Sequence, residues 1–418
     1  MSETTLEHKN AVKNGVGRMV LAVLSICIQF LVLFLVFMYF TQKAGWIVLL
    51  MGLVGLFLVL NIYAQHKTAS IKMVWIMLIM AMPIVGIIMY LLVGNNYHTR
   101  SMKKRYQDMD DILFPLLPGD ADVREQENER DRRFGNISRY LSEIAGFPAY
   151  SDSRITYYDD ARKGLDAQLE ELKKAEHFIF MEYHAIEDAE SWGLVADVLA
   201  QRVKAGVEVR VIYDDMGSIG FINTDFINRM ESLGIACRVF NPFVPWINIF
   251  LDNRDHRKIT VIDGRIGFTG GYNMANEYFH VTEPFGYWKD TGVKIEGNAV
   301  RSLTMMFLEM WNAMKAKDSH PRDTDFQKYM PQISTENPEG FIQPYGDSPL
   351  DDNATGEDVY SCMVEAAQDY VWFVTPYLII TEETAHILSM AAKRGVDVRI
   401  ITPGIPDKKI IYSVTRSY

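Results

Sequence analysis

Apolar and polar residues are unevenly spread along this chain. Met19–Phe40 carries no charge, and its most polar members are Ser25 and Gln29. As a helix it would extend about 33 Å at 1.5 Å per residue, enough to cross a bilayer core. Trp46–Ile62 is a second charge-free run, and Met73–Val93 a third, interrupted by Pro83. A proline is tolerated in a spanning helix when neighbours satisfy the freed carbonyl, so the third run is also read as a span. A signal peptide would need a small-residue cleavage site after the first run, and none follows.

Beyond these runs the pattern changes. Pro115–Gly135 is polar and charge-dense, as in "VREQENERDRR", and reads as a linker or a solvated helix. "HFIFMEYHAI" (177–186) has the apolar density of a buried strand. "GLVADVLAQRVKAG" has helical spacing and stops at Gly206, a C-cap candidate. "VEVRVIYDD" (207–215) is the next strand. Strand, helix and strand at this spacing predict a parallel pair in an α/β sheet.

The same order returns later. "DYVWFVTPYLI" (369–379) reads as a strand, and "TEETAHILSMAAKRG" as a helix with Thr381 as N-cap. Glu382 and Glu383 fall in its first turn, and no capping box closes because Thr384 stands three residues on. "VDVRIITPG" is the strand after it. "GVEVRVI" at Gly206 and "GVDVRII" at Gly395 share five of seven positions at an offset of 189 residues. A repeat this long predicts two related domains.

Composition adds little to the pattern. The 418 residues leave room for two or three domains. A net charge of −11 argues against nucleic acid as the main partner, which favours a basic face. The three cysteines form neither a disulfide framework nor a zinc site. Membrane orientation stays open. With three spans, Lys9, Lys13, Arg18, Lys67 and Lys72 fall on one side and Lys43, Arg100, Lys103, Lys104 and Arg105 on the other. At five against five, the positive-inside rule favours neither side.

The chemistry concentrates in "DHRKITVIDGRIGFTGGYN" (255–273). His256 and Lys258 are two apart in a β-rich run and project from one face. Asp263-Gly264 is a hairpin turn signal. Gly270 and Gly271 break the returning strand before a helix expected near Asn273, where backbone N–H groups and a helix N-terminus favour an anion. An imidazole can attack phosphorus and form a covalent phosphohistidine. Lys258, Asn273 and the glycine turn would hold the phosphoryl oxygens, and Asp263 would orient the site. No His/Cys cluster at metal-ligand spacing accompanies the stretch, so neither metal nor other cofactor is expected. Nine histidines at average composition yield H-x-K-x-x-x-x-D about 0.03 times by chance, which sets the stretch apart from an ordinary half-buried strand.

Two-step phosphoryl transfer needs a second proton-handling group, and a second histidine from the repeated domain is the economical source. Adding the offset to His256 points to about position 445, beyond Tyr418. "VTRSY" falls mid-domain, so a fragment is expected, with its partner motif further on.

His256, Lys258, Asp263 and the following "GFTGGYN" resemble the HKD motif of the phospholipase D superfamily, with Gly271 where Ser is usual. Within it the chain most resembles the bacterial cardiolipin synthases. "VWIMLIMAMPIVGIIMYLLVG" is similar to their N-terminal membrane segment, and "IYDDMGSIG", "NRDHRK", "MANEY" and "YWKDTGVKIEG" to their soluble part. The resemblance runs from residue 45 onward and leaves the first apolar run as an extra.

It implies an α/β fold of phospholipase D-like mixed-sheet sandwich domains, the second incomplete, preceded by transmembrane helices. The expected layout is a tail (1–18), a membrane region of two or three helices (19–94), a linker (95–135), a first domain with the motif (136–340) and the start of a second (341–418). The implied activity joins two phosphatidylglycerol molecules into cardiolipin and releases glycerol. His256 would be the nucleophile or its acid–base partner. Lys258, Asn273, Gly270 and Gly271 would bind phosphate, with Asp263 supporting them and Glu277 a weaker candidate. Glu182, His184, Trp288 and Asp290 read as structural. Expected partners are phosphatidylglycerol and membrane lipids, not nucleic acid, and a homo-oligomer would bring two copies of His256 together. The expected location is the cell membrane, multi-pass, with the soluble part in the cytoplasm. A phospholipase D, a phosphatidylserine synthase and a catalytically incomplete membrane-anchored fragment are the alternatives.

Overall fold

A computed structural model describes residues 45–65, 68–94, 100–117, 121–223, 225–242, 253–314, 323–338, 340–351 and 353–418, with Gly119 and scattered positions from 17 to 39. The described positions of the first apolar run are helical, and the rest of that run lies outside the described residues. The chain forms two compact units, one of 13–101 with 243–253 and one of the remaining residues.

The smaller unit is built on α1 (Gly45–Tyr63), α2 (Ala69–Ala81) and α3 (Pro83–Met89), followed by a π-helical turn, Tyr90–Gly94. Among the described residues, α1 is the one helix long and apolar enough to cross a membrane. Its 19 residues extend about 28 Å, and Trp46, Leu49, Leu53, Phe57 and Leu60 are exposed along it. The run Met73–Val93 is not one helix, contrary to expectation. The backbone leaves helical geometry at Met82 (φ −140°, ψ 78°), and Pro83 starts α3 at its first position. Proline has no N–H to donate and its ring clashes with the preceding turn, so it opens a helix more readily than it continues one. Ile62, Ile79, Ile87 and Tyr90 form the buried cluster that joins the three helices.

In the larger unit, α4 (Arg100–Leu113), whose first two residues belong to the smaller one, leads into α5 (Ala121–Arg130) and α6 (Arg132–Glu143). Most described residues of the charge-dense stretch are therefore helical. A seven-stranded mixed sheet follows, of β1 (Ser153–Tyr158), β2 (Phe178–Tyr183), β3 (Glu208–Asp214), β4 (Ala236–Phe240), β5 (Lys258–Ile262), β6 (Ile266–Gly270) and β7 (Gly292–Gly297). Its order is β1-β7-β6-β5-β2-β3-β4. The β2–β3 and β3–β4 pairs are parallel and the others antiparallel.

Side chains alternate between the faces of a strand, and β2 buries both. Phe178 and Phe180 join the core containing α11 (Val300–Ala313). Ile179, Met181 and Tyr183 join the core containing α7 (Ala161–Leu172), α8 (Glu190–Lys204) and α10 (Phe226–Ser232). Between β3 and α10 lies the short α9 (Asp215–Ser218). This is a mixed sheet sandwiched by helices, as the resemblance implied.

The repeat appears as α12 (Thr355–Ala366), β8 (Tyr370–Val374), α13 (Glu382–Lys393), β9 (Asp397–Ile401) and α14 (Lys409–Thr415). β8 and β9 pair in parallel, as β2 and β3 do. Both crossover helices end alike. Gly206 (φ 92°) and Gly395 (φ 96°) take the left-handed conformation. The next N–H, of Val207 or Val396, donates to the carbonyl five residues back, Arg202 or Ala391. This C-terminal motif favours glycine because a Cβ is disfavoured at positive φ. Thr381 caps α13, accepting from Thr384 N at 3.1 Å.

Candidate active site

Carboxyl ends of parallel strands, and the loops that follow, are where open α/β sheets place ligands. β2 and β3 end side by side, Tyr183 opposite Tyr213. β5 runs the other way, so its first residue, Lys258, lies opposite Tyr183. One sheet edge therefore gathers His184, Asp214 and the segment entering β5. Arg257 O accepts from His184 N at 3.1 Å and ties that segment down.

Alternation along the β5 entry separates two tasks. His256 and Lys258 share one face. Arg257 between them is directed the other way, donating to Met306 O at 3.0 Å, Tyr106 Oη at 2.9 Å and Asp347 O at 3.3 Å. It is a strut into the core, with Glu182 3.8 Å away. Glu182 is fully buried against Asp255, and burial, then the charge of Asp255, holds its carboxyl well above the usual range. Asp255 is itself anchored. Its N–H donates to Asp214 at 3.0 Å, and its carboxylate accepts from Arg257 N at 3.0 Å.

His256 stands at the rim, exposed. The protein crowding its ring, then the nearby charges of Lys258, His184 and Lys408, push its pKa below the ordinary imidazole value. The ring is therefore neutral at neutral pH, the form that carries a nucleophilic lone pair. Lys258 is buried and donates to His256 O at 2.7 Å. Burial pulls its pKa down to about 8, opposed by Asp255, Asp290 and Asp214.

His184, read from sequence as structural, lies against His256 with ring centroids 4.7 Å apart and planes at 58°. Its Nδ1 is 2.7 Å from Asp255 O. A carbonyl only accepts, so Nδ1 carries the proton and Nε2 of the neutral ring keeps its lone pair. Burial lowers this pKa to about 4. The other side of the ring meets Gly217, where an added Cβ would stand 2.2 Å from His184 O and 2.8 Å from two ring carbons.

The remaining motif residues divide. Asn273 is buried beside the site, accepting from Ala185 N at 3.0 Å and donating to Tyr278 Oη at 2.9 Å. The helix expected there is only a 3-10 turn, Asn276–Phe279, so no helix N-terminus faces the site at Asn273. The glycine turn also serves otherwise than expected. Gly271 N donates to Thr291 O at 3.1 Å, so this N–H is already engaged. An added Cβ at Gly270 would stand 2.5 Å from Thr291 O, and one at Gly271 2.2 Å from the Asp290 carboxylate. These glycines admit neighbouring chain and the Asp290 carboxylate. Asp290 is itself held above the usual range by burial, opposed by Lys258.

Asp263 is not at this edge. It sits past the far end of β5, where its carboxylate accepts from the N–H groups of Glu176, His177 and Phe178, all at 2.8 Å. With Gly264 it forms the tight hairpin turn, both at positive φ. The role expected of it in orienting the site does not fit this placement, because five residues of strand extend about 16 Å.

The repeated segment contributes groups that sequence reasoning passed over as a loop. Lys408 raises the positive potential at His184 and His256. It lies 5.4 Å over the ring of Tyr377, whose hydroxyl donates to Asp407. Glu277 belongs with this group. Burial raises its pKa, aided by Glu187 and Asp407 and opposed by Lys408.

Comparison with known proteins places this arrangement in the phospholipase D class. Residues 169–311 and 360–418 match the family described as cardiolipin synthase, PLD-like domain, and residues 46–95 match the phospholipase D-nuclease N-terminal family. An uncharacterized protein of Streptococcus mutans serotype c is 39% identical over 356 residues, 85% of this chain and 76% of its own length. A cardiolipin synthase of Geobacillus kaustophilus is 30% identical over 371 residues, 88% of this chain and 73% of its own. The solved phosphatidylserine synthase of Haemophilus influenzae is similar at a TM-score of 0.43 and 16% identity, covering 63% of this chain and 65% of that one. The chain belongs to the cardiolipin synthase family.

Proposed function

We propose that this chain is a phosphatidyltransferase of the cardiolipin synthase type, joining two phosphatidylglycerol molecules at the membrane. The observation that carries the reading is the pairing of a neutral His256 with a charged Lys258 on one face of β5, in a chain of this family.

His256 attacks the phosphorus of one phosphatidylglycerol. A P–N bond forms as the P–O bond to the headgroup breaks, and the departing alkoxide takes a proton from water and leaves as glycerol, the hydroxide so formed being neutralised by the proton that His184 later collects. Lys258 faces the charge that develops on the phosphoryl oxygens. The terminal hydroxyl of a second phosphatidylglycerol then loses its proton, attacks phosphorus and releases His256. Nε2 of His184 is the base for that proton. Lys408 adds positive charge at the same site, and Asn273 holds the β2 end in place.

The substrate is lipid and not nucleic acid in this reading, in keeping with the net charge of −11. The enzyme is multi-pass, with its soluble unit in the cytoplasm. Pairing of two chains is compatible with it.

The test is product analysis. The full chain in phosphatidylglycerol vesicles should yield cardiolipin and glycerol in equal amounts, and His256→Ala should abolish both. Phosphatidic acid and glycerol alone would make it a phospholipase D. Phosphatidylserine formed on adding a serine donor system, without cardiolipin, would make it a serine lipid synthase. Membrane binding with no lipid turnover would leave an anchoring role.

A further inference from the structure

The smaller unit carries geometry that bears on membrane topology. Three contacts place the end of α1, the start of α2 and the end of α3 at one level. Lys72 Nζ donates to Tyr63 O at 3.3 Å and to Gln65 O at 3.2 Å. Gln65 Nε2 donates to Tyr90 Oη at 3.0 Å. The Tyr90 ring packs on Trp75 with centroids 5.5 Å apart. A Cβ at Gly94 would stand 3.0 Å from that same tryptophan. The chain that leaves α1 at Gln65 is back at the same level by Tyr90.

Between those points α2 and α3 lie side by side. A Cβ at Gly86 would stand 2.5 Å from Ile79 Cα and 2.7 Å from Leu78 O, so the helices touch backbone to backbone. Close approach through glycine is how helices pack in lipid. At the reversal both backbone groups of Met82 are engaged. Met82 N donates to Leu78 O at 3.0 Å, and Met82 O accepts from Gly86 N at 2.7 Å. Irregular backbone at membrane depth is tolerated where such groups find partners within the protein.

The depth of the hairpin follows from α1. Ile79 meets Gly55, 3.1 Å from where its Cβ would stand. Gly55 is eight residues before Tyr63, or about 12 Å along the helix. The tip at Met82–Pro83 is less than one further turn away. The hydrocarbon core is about 30 Å thick, so the hairpin fills about one leaflet.

We infer that α2 and α3 form a re-entrant hairpin in the inner leaflet, entering and leaving on one face, so that the chain on both sides of it is cytoplasmic. This rests on the membrane-bound reading above and supplies the sidedness the charge count withheld. A hairpin that does not cross puts Lys67, Lys72, Arg100, Lys103, Lys104 and Arg105 on one side. One crossing by Met19–Phe40 adds Lys9, Lys13 and Arg18 to it. Lys43 stands alone on the other. The count becomes nine against one, and the positive-inside rule assigns the nine to the cytoplasm.

The experiment is labelling of introduced cysteines, one per variant of the full chain, with a membrane-impermeant maleimide, in intact and in broken cells. The unsubstituted chain, with Cys27, Cys237 and Cys362, gives the baseline. Gly45→Cys should label in intact cells. Thr68→Cys and Asp108→Cys should label only after the cells are broken. Labelling of Thr68→Cys and Asp108→Cys from opposite sides would overturn the hairpin. Labelling of both from outside would overturn the cytoplasmic assignment. A chain released from membranes by alkaline carbonate would instead overturn the membrane reading itself.

Discussion

His184 and His256 stand with their rings 4.7 Å apart, the first following β2 and the second preceding β5. Because Asp255 O holds the proton of His184 on Nδ1, the nitrogen left to accept a proton is Nε2. Replacing His184 by Gln keeps a polar head and removes the titratable nitrogen. The rate of cardiolipin formation should fall on the order of 100-fold with KM little changed. A rate within twofold of the unsubstituted protein would leave His184 without a part in proton transfer.

Lys258 sets a limit on the alkaline side. Its pKa is pulled down to about 8, so it is charged below that pH and neutral above it. Phosphate binding needs the charge, hence kcat/KM should decline as pH rises through about 8. A profile flat to pH 9.5 would mean that Lys258 is not the group holding phosphate.

Gly217 has no room for a side chain beside His184. Gly217→Ala should displace the imidazole and slow turnover by on the order of tenfold to 100-fold, since a misplacement of about 1 Å is that costly. His184→Gln and Gly217→Ala combined should be no slower than His184→Gln alone. A fully multiplicative loss would show that the glycine acts elsewhere.

Arg257 is the positive member of a buried group that includes Glu182, Asp255 and Glu309. Removing one partner of a buried ion group costs about 3–5 kcal/mol, because the remaining charge has no counterpart. Arg257→Leu should therefore lower the unfolding temperature of the detergent-purified chain by several degrees. An unchanged midpoint would contradict the strut.

Asp263 differs from its motif partners in what its loss should do. Asp263→Ala leaves three N–H groups without an acceptor, at about 1–3 kcal/mol for each that stays buried. Stability should drop, while the molecules that remain folded should keep turnover within a few-fold. Loss of turnover at unchanged stability would be the opposite result.

Much of this fold was legible in the chain because local signals agreed with one another. The strand periods around β2 and β3, the glycines ending α8 and α13, the Asp263-Gly264 turn and the Thr381 cap each have a local cause. The break at Met82 was not legible. A continuous apolar run looks the same whether it crosses a membrane or folds back, and only the contact between Gly86 and Ile79 tells them apart. In the site, the shared face of His256 and Lys258 follows from strand period alone. The nearness of His184 depends on which strands pair, as does that of Lys408 on how the repeated segment packs. Asn273 and the glycine turn were legible as special positions, but not as ones whose groups already serve neighbouring chain.

The placement of Asp263 also bears on how a pattern match should be weighed. Three letters that read as one signature serve two offices at opposite rims of the sheet. A distant homologue keeping only the aspartate-glycine turn would advertise a scaffold, whereas one keeping only the histidine and lysine would advertise a reaction. Scoring the two halves of the signature separately would therefore distinguish retired enzymes from working ones.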